Sequence, residues 1–221
     1  IGKGVSREAG IPSALGGATR RLSTSIWKQD LRMVCLDLET GAKIWDVPSS
    51  FNGGTQTVFL MYDEGSDRLI LTAGDGSNHV YGYIGATGAP AWNTSAAHYK
   101  TDHGGKNQHA VITNGEVLLT PNVYDVATGT LKRSNIPQNK GQGCNTYWGS
   151  KDLLFFRTGY SGKGLSLWPI EGGSITGVDH VRGGCWLSWA PADGMFLIQE
   201  KSSGCSCGAW IHVSLGWGPK D

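Results

Sequence analysis

The chain has 221 residues, with 19 Lys and Arg against 18 Asp and Glu, and a formal net charge of +1. This balance argues against a basic nucleic-acid binder and against a polyacidic tail. Charged residues make up 17% of the chain, below the roughly 25% of an average soluble domain, whereas 34 glycines and 9 tryptophans exceed ordinary usage. No apolar run approaches the roughly 18 residues that a membrane helix needs, so we expect no membrane span in this chain.

The N-terminal part, residues 1–32, shows little periodicity of either helical or strand type. It begins at Ile1 without an initiator Met or a recognisable signal peptide, which favours a processed or excised chain. We expect residues 1–32 to form an N-terminal segment or an incomplete first repeat, and residues 33–221 to form the repeats. The alternative is that the chain is the C-terminal part of a longer protein.

Four segments of the chain align with one another on a corner that ends in glycine. The corner glycines are Gly41, Gly88, Gly129 and Gly173, at spacings of 47, 41 and 44 residues. This period is typical of the blades of a β-propeller, in which four-stranded antiparallel sheets are arranged radially. We therefore predict an all-β propeller of about four to five four-stranded blades, which would be part of a larger propeller if the ring does not close within the chain.

The third repeat can be read strand by strand. Residues 109–113 are predicted as the innermost strand, Asn114-Gly115 as a type I′ turn, residues 117–120 as the second strand and residues 123–126 as the third. Asn-Gly suits this turn because both of its central positions need positive φ.

Two tryptophans and one cysteine of the first repeats are interpreted as packing residues. Trp45 and Trp92 each follow a corner glycine and are predicted to pack between adjacent blades, rather than to form an aromatic ligand cage. Cys35 alternates with Val34 and Leu36 in a predicted third strand, so we expect it to be a buried small hydrophobe.

The first repeat resembles a known family. Its segment Leu36-Asp-Leu-Glu-Thr-Gly-Ala-Lys-Ile-Trp45 is similar to the Ala-Leu-Asp-x-x-Thr-Gly-x-x-x-Trp signature of pyrroloquinoline-quinone-like (PQQ-like) β-propeller repeats. That family includes quinoprotein dehydrogenases and non-enzymatic outer-membrane assembly scaffolds. The resemblance therefore implies the fold but no particular activity.

The C-terminal half resembles a mostly uncharacterised subgroup of exported bacterial propeller proteins. The motifs that carry this resemblance are Asp102-His-Gly-Gly-Lys106, Gly143-Cys144, Arg182-Gly-Gly-Cys-Trp186 and Ser203-Gly-Cys-Ser-Cys207. The resemblance implies a bacterial protein that is exported to the periplasm or the extracellular space.

Cysteine and histidine recur near the starts of the predicted innermost strands. When the predicted second strands are aligned on Val117, Leu153 and Met195, counting back 8, 9 and 10 residues reaches one such side chain in each repeat. Strand starts crowd around one mouth of a propeller channel, and the loop after the second strand returns to the same side. The side chains predicted to share this rim are His109, Cys144, Cys185, Cys205 and Cys207.

Three interpretations of this predicted rim remain open. Thiolate and imidazole groups are ligands that suit zinc or copper, so the rim is a candidate metal site. The competing interpretation is a disulfide between Cys185 and either Cys205 or Cys207, because thiols oxidise in exported proteins. The third is that the thiols are simply buried.

The loop that enters the third repeat is a second candidate binding site. Asp102, His103 and Lys106 flank Gly104-Gly105, and the lysine together with the glycine backbone would suit an anion or another small ligand. The alternative is a solvated loop without a ligand. Gly-Gly-Lys lacks the upstream glycine of a phosphate-binding P-loop, so nucleotide binding is not supported.

Two functions from different classes follow from these observations. No motif pairs a nucleophile with a base, which favours an exported, non-catalytic propeller that binds protein partners as an interaction scaffold or accessory subunit. The alternative is a PQQ-dependent oxidoreductase or a fragment of one. The resemblance implies eight blades, a quinone held beside calcium and, in several members, adjacent cysteines for such enzymes. Here Ser206 separates Cys205 from Cys207, so PQQ is not expected as a cofactor.

Overall fold

The computed structural model describes residues 32–48, 58–74, 78–96, 110–137, 147–157, 163–179, 189–198 and 215–217. These ranges form seventeen β-strands and no helix. The strands fall into five successive antiparallel sheets, which we number as blades 1 to 5 in chain order.

The bounds of the strands follow the predicted repeat. Blade 1 contains β1 (Arg32–Leu36) and β2 (Lys43–Pro48). Blade 2 contains β3 (Val58–Asp63), β4 (Arg68–Gly74), β5 (Asn78–Ile84) and β6 (Pro90–Ala96). Blade 3 contains β7 (Val111–Thr113), β8 (Glu116–Leu119), β9 (Asn122–Asp125) and β10 (Leu131–Arg133). Blade 4 contains β11 (Trp148–Gly149), β12 (Leu153–Arg157), β13 (Lys163–Pro169) and β14 (Thr176–Asp179). Blade 5 contains β15 (Trp189–Ala192), β16 (Met195–Ile198) and β17 (Leu215–Trp217).

Every strand pairs with its neighbour in the sequence, so each sheet is a simple meander. Blades 2, 3 and 4 are complete four-stranded sheets. Within the described ranges, blade 1 contributes two strands and blade 5 contributes three. In blade 1 these two strands bracket the Thr40-Gly41 corner, so they correspond to the third and fourth strands of a complete blade.

The turns have the backbone geometry that their residues predict. Thr113 pairs with Glu116 across Asn114-Gly115, whose φ angles are 50° and 72°. This confirms the type I′ turn, which requires positive φ at both central positions.

The hydrophobic core is divided into four clusters, each lying between two consecutive blades. Alternate residues of one strand point to opposite faces of a sheet, so a central strand supplies two clusters at once. In β4, Leu71 packs towards blade 1 whereas Ile70 packs towards blade 3. In β12, Leu154 packs towards blade 3 and Phe155 towards blade 5.

These face-to-face contacts arrange the blades as a β-propeller. The first strands of consecutive blades are neighbours, since β11 lies next to both β7 and β15. A stack of four-stranded antiparallel sheets joined in this way is the architecture that a repeat of 40 to 50 residues predicts. The predicted all-β propeller fold is therefore confirmed.

The two rims of the propeller differ in their connections. We call the side that carries the turns between first and second strands and between third and fourth strands the turn rim; its segments include residues 114–115 and 126–130. On the opposite side, the loop rim, the first and third strands begin and the second and fourth strands end. This division follows from the antiparallel order of the strands.

The alignment of second strands predicted from the sequence needs a correction of one residue. The residues that face the preceding blade are Val117, Leu154 and Phe196, not Val117, Leu153 and Met195. In blade 5, Ala192 pairs with Met195 as Thr113 pairs with Glu116, so Phe196 and not Met195 corresponds to Val117. The turn of blade 4 is longer. Two residues separate Thr113 from its partner Glu116, whereas four separate the paired residues Gly149 and Leu154.

The structure also corrects the prediction that Cys35 is a buried small hydrophobic residue. Cys35 lies in β1 and is half-buried, while Met33 on the same face is buried against blade 2. Cys35 is the last residue but one of β1, beside the exposed corner that follows Leu36. Cys35 is the one cysteine within the described ranges, and its thiol is free.

Candidate functional site

All of the site residues predicted from the sequence lie outside the described ranges. They are Asp102, His103, Lys106, His109, Cys144, Cys185, Cys205 and Cys207. The described part of the chain brings no three His, Cys, Asp or Glu side chains together as a metal ion would require. Both the Cys/His rim and the ligand loop therefore stay predictions.

The described strands show where the chain leaves the sheets on either side of these residues. β7, β11 and β15 all begin at the loop rim, within two residues after residues 97–109, 138–146 and 180–188. β16 ends at the same rim, immediately before residues 199–214. The four segments that carry the predicted site residues thus connect to the sheets on one side of the propeller.

On the turn rim, a tryptophan of blade 1 docks on the corner of blade 2. The indole Nε1 of Trp45 donates a hydrogen bond of 2.9 Å to the carbonyl oxygen of Gly85. The ring covers Gly88 so closely that a Cβ on this glycine would lie 2.7 Å from the indole. Gly88 has φ of +70°, so glycine is required both for the turn and for the ring contact.

The same arrangement recurs between blades 2 and 3. Trp92 Nε1 donates to the carbonyl oxygen of Val126 at 3.2 Å, and its ring covers Gly129, which has φ of +71°. We call each such corner, with its accepting carbonyl and its covered glycine, an indole socket. The predicted packing of Trp45 and Trp92 between adjacent blades is confirmed, and it is directional: each tryptophan docks on the next blade.

In blade 3 an arginine with an ion pair stands at the position of the indole. Arg133 stands four residues after Gly129, where Trp45 and Trp92 stand relative to their own glycines. Its guanidinium donates two hydrogen bonds of 2.7 Å to Glu116, and Lys132 lies 2.7 Å from the same carboxylate. Hydrogen bonding by Arg133 lowers the pKa of Glu116, against the effect of burial.

The corner of blade 4 differs from the Thr-Gly corners of blades 1 to 3. Its glycines are Gly172 and Gly173, with φ of 109° and 131°, in place of a Thr-Gly pair. The nearest described atom to a Cβ on Gly173 would be Pro169 Cγ at 3.8 Å, so no ring is pressed against this glycine. The hydrogen bonds to Glu116 raise the pKa of Arg133, and the negative charge of Glu171 acts in the same direction.

An open groove of about 620 Å³ lies at the turn rim between blades 4 and 5. Phe155 and Phe196 stack at its base, with ring centroids 4.7 Å apart. The described residues that line it are mostly apolar, which suits an apolar side chain better than a charged substrate. They are Gly149, Ser150, Leu153, Phe155, Pro191, Ala192, Asp193, Gly194, Met195 and Phe196.

The side of blade 1 turned away from blade 2 exposes large apolar side chains. We call it the first face; it carries Val34, Leu36, Ile44 and Asp46, with Leu38 at the adjoining corner. Leu36 is 56% exposed, Ile44 58% and Leu38 98%. Asp46 accepts a hydrogen bond from Arg32 and lies 3.0 Å from Lys43 Nζ, so an ion-pair cluster borders the apolar area.

Sequence reasoning did not identify the indole sockets or the ion pair that replaces one of them. A signal for both was present, because the residues four positions after the first three corner glycines are Trp45, Trp92 and Arg133. What the sequence could not supply was the partner of each side chain, which belongs to the next blade for the tryptophans and to the same blade for the arginine.

No protein-family model matches the chain. A search of curated proteins also finds no match. The described ranges contain no helix with the length and hydropathy of a membrane span.

Solved structures are similar to the chain at low identity. BamB from Moraxella catarrhalis is 14% identical with a TM-score of 0.45, over 75% of this chain and 51% of BamB. The computationally designed Ika8 protein is 15% identical with a TM-score of 0.51, over 83% of this chain and 51% of Ika8. The designed Ika4 protein is 16% identical with a TM-score of 0.49, over 80% of this chain and 98% of Ika4.

The chain spans about half the length of BamB and of Ika8. At these identities the similarities bear on the fold alone. The PQQ-like motif of the first repeat remains a resemblance.

Proposed function

We propose that the chain is an exported, non-catalytic β-propeller that acts as an interaction scaffold or as an accessory subunit of a larger assembly. The observation that carries this proposal is the first face. Val34, Leu36 and Ile44 are exposed on it, whereas the corresponding faces between blades are packed into continuous cores. Contiguous apolar surface beside a rigid framework is typical of a protein-binding surface.

The propeller supplies the rigidity that a scaffold needs. Four interblade clusters hold the described sheets together, and the buried side chains include Tyr83, Tyr124 and Phe156 at 2% exposure or less. Interfaces between preorganised partners cost less free energy to form than interfaces that must first be ordered. A surface on such a framework can therefore bind a partner without rearrangement.

The proposal is tested by following the size of the native assembly. The full chain, expressed in its own host, is extracted and fractionated by gel filtration. We expect it to elute well above the mass of one 23.6 kDa chain, and the double variant Leu36→Asp with Ile44→Asp to elute at a smaller size. The matched control is Ile175→Asp, which changes an exposed apolar residue of blade 4. A wild-type chain that elutes as a monomer would contradict the proposal.

For the loop rim, we propose that His109, Cys144, Cys185, Cys205 and Cys207 lie close together and that at least two of the cysteines are linked to each other or to a metal. Support comes from the neighbouring strand ends, since β7, β11 and β15 begin and β16 ends at this rim. Sharing a rim requires only these strand ends, so the one-residue correction of the alignment does not remove the support.

Reductant and chelator distinguish the two forms of linkage. A disulfide from Cys185 to Cys205 or Cys207 would close a ring of about 20 residues and contribute roughly 3 kcal/mol, so reductant would lower the melting temperature. A zinc or copper site would instead make the melting temperature sensitive to chelator. If all five cysteines react with a thiol reagent in the untreated native protein, the proposed linkage is wrong.

A further inference from the structure

Between blades 2 and 3, two polar side chains close the junction at the turn rim. One comes from the second strand of blade 2: Arg68 Nε donates to the carbonyl oxygen of Ala127 at 3.3 Å. The other comes from the fourth strand: Trp92 Nε1 donates to the carbonyl oxygen of Val126 at 3.2 Å. Both acceptors belong to the corner of blade 3, so the two blades are bridged here.

The face of blade 3 that is turned towards blade 4 is also filled at the turn rim. Glu116 lies on this face of β8, and Arg133 from the fourth strand donates to its carboxylate. The adjacent turn is bridged to blade 4, because Thr113 Oγ1 and Asn114 Nδ2 both donate to the carbonyl oxygen of Lys151, at 3.3 and 3.0 Å.

Blade 4 has an apolar side chain where blades 2 and 3 have charged ones. Arg68, Glu116 and Leu153 hold the same position, since each directly follows the residue whose carbonyl oxygen accepts a hydrogen bond from the N–H three positions before the corner glycine. Leu153 packs against the cluster between blades 4 and 5. The hydroxyl of Ser150 accepts a hydrogen bond from the Leu153 N–H at 3.2 Å, so it is engaged within its own blade.

Blade 4 also has no side chain at the fourth-strand position. The residue four positions after Gly173 is Gly177, where blades 1 to 3 carry Trp45, Trp92 and Arg133. No described atom lies within 4 Å of a Cβ placed on Gly177. These replacements account for the open groove of about 620 Å³ between blades 4 and 5, because the side chains that fill the two preceding junctions are missing from it.

The described strand ends bear on whether the chain itself occupies this groove. Every break inside the described ranges falls between strand ends at the loop rim, on the opposite side of the sheets. β1 also begins at the loop rim, so residues 1–31 join the sheets on that side and in blade 1. After Trp217 the sequence continues Gly-Pro-Lys-Asp, without a large apolar side chain. The strand ends therefore favour an occupant from outside the chain.

The lining of the groove indicates the chemistry of its occupant. Phe155 and Phe196 at the base and Leu153 on the wall suit a large apolar side chain. Asp193 is the only charged residue among the described residues that line the groove, and it is exposed on the turn of blade 5. A carboxylate at the edge attracts a cation and repels an anion.

We propose that the groove between blades 4 and 5 binds an extended peptide segment of a partner protein that carries a basic residue beside a large apolar one. The apolar side chain inserts against Phe155 and Phe196, and the basic side chain pairs with Asp193. This inference goes beyond the proposed scaffold function, because it assigns a second surface that does not involve the first face.

The experiment uses the full chain, labelled with ¹⁵N, and the capped peptide Gly-Lys-Leu-Phe-Lys-Gly. We expect it to shift the amide signals of Gly149, Asp193 and Gly194 and to leave those of Gly88 and Gly129 unchanged. A control peptide with alanine in place of leucine and phenylalanine should bind about tenfold more weakly, because it lacks the side chain that is buried. A control peptide with glutamate in place of both lysines should also bind more weakly.

Variants of the full chain show whether binding occurs in this groove. Asp193→Asn retains the turn, because Asn-Gly is also the sequence of the turn in blade 3, and we expect about threefold weaker binding. The matched control is Glu39→Gln, which removes an exposed carboxylate from the corner of blade 1 and should leave binding unchanged. Leu153→Glu with Gly177→Arg introduces the ion pair of blade 3 and should close the groove and abolish binding.

Several results would overturn the proposal. They are the absence of shifts at the groove, equal binding of the three peptides, and unchanged binding by both Asp193→Asn and the double variant. Nuclear Overhauser contacts from the Phe196 ring to residues 1–31 or 218–221 in the free chain would show that the chain fills its own groove. A dimer that the double variant makes monomeric would assign the groove to a second copy. Loss of peptide binding without a change in the native assembly would remove this inference alone and leave the scaffold proposal standing.

Discussion

The indole N–H of Trp45 donates to the carbonyl oxygen of Gly85 at 2.9 Å, from one blade to the next. This single bond joins sheets whose residues are 40 positions apart in the sequence. Together with the contact between the ring and Gly88, it holds β2 of blade 1 against the corner of blade 2. The first predictions follow from this joint and from its counterpart at Trp92.

Removing a docking tryptophan should destabilise the propeller strongly. Trp92→Ala deletes a ring that packs against the cluster between blades 2 and 3, and we expect a loss of about 3–5 kcal/mol in the free energy of unfolding. Trp92→Phe retains an aromatic ring but loses the hydrogen bond to Val126, so a smaller loss is expected. Urea unfolding followed by tryptophan fluorescence measures both. Equal losses for the two variants would contradict the role assigned to the ring.

Gly88→Ala and Gly41→Ala separate backbone strain from the ring contact. Both glycines have φ of +70°, so an alanine costs about 1–2 kcal/mol at either position. Only at Gly88 would the new Cβ also meet Trp45, which adds overpacking of about 1–3 kcal/mol. Gly88→Ala should therefore be the less stable variant in thermal unfolding. Equal destabilisation would show that the indole does not press on the corner.

Acid should weaken the ion-pair cluster of blade 3 through Glu116. The pKa of this carboxyl is held below its ordinary value of 4.5 by hydrogen bonds from Arg133. Because the folded pKa lies below the unfolded one, the carboxylate stabilises the fold above the unfolded pKa, and this stabilisation is lost as the pH falls through the folded pKa.

The variant Glu116→Gln isolates this contribution from other carboxylates. At pH 7 we expect it to be less stable than the wild type by about 1–3 kcal/mol, because Arg133 and Lys132 lose their charged partner. The difference should shrink as the pH falls below 4.5. Melting temperatures measured between pH 3 and pH 7 test this, and a difference that does not change with pH would rule out the ion pair as its source.

Quinone-dependent oxidation is expected to be absent. We predict that PQQ and calcium added to the purified full chain give no oxidation of alcohols or sugars, because Ser206 separates Cys205 from Cys207. A dye-linked assay measures this directly, with boiled protein as the control. Turnover above that control would overturn the scaffold proposal in favour of a quinoprotein oxidoreductase.

The sequence alone determined the repeat and therefore the class of fold. Corner glycines are readable because positive φ restricts the choice of residue, and Asn114-Gly115 is readable for the same reason. Local chemistry of this kind acts within a few residues, so the third and fourth strands around each corner could be placed before the structure was known.

Tertiary structure decided what depends on contacts between blades. The one-residue correction from Leu153 to Leu154 concerns which face of the sheet a strand residue occupies, and this shows only when the adjacent blade packs against it. Likewise Trp45 and Arg133 hold equivalent places in the sequence, yet one docks on the next blade and the other pairs with Glu116 of its own. Partners about 40 residues away in one case and 17 in the other meet only through folding, which local sequence patterns do not encode.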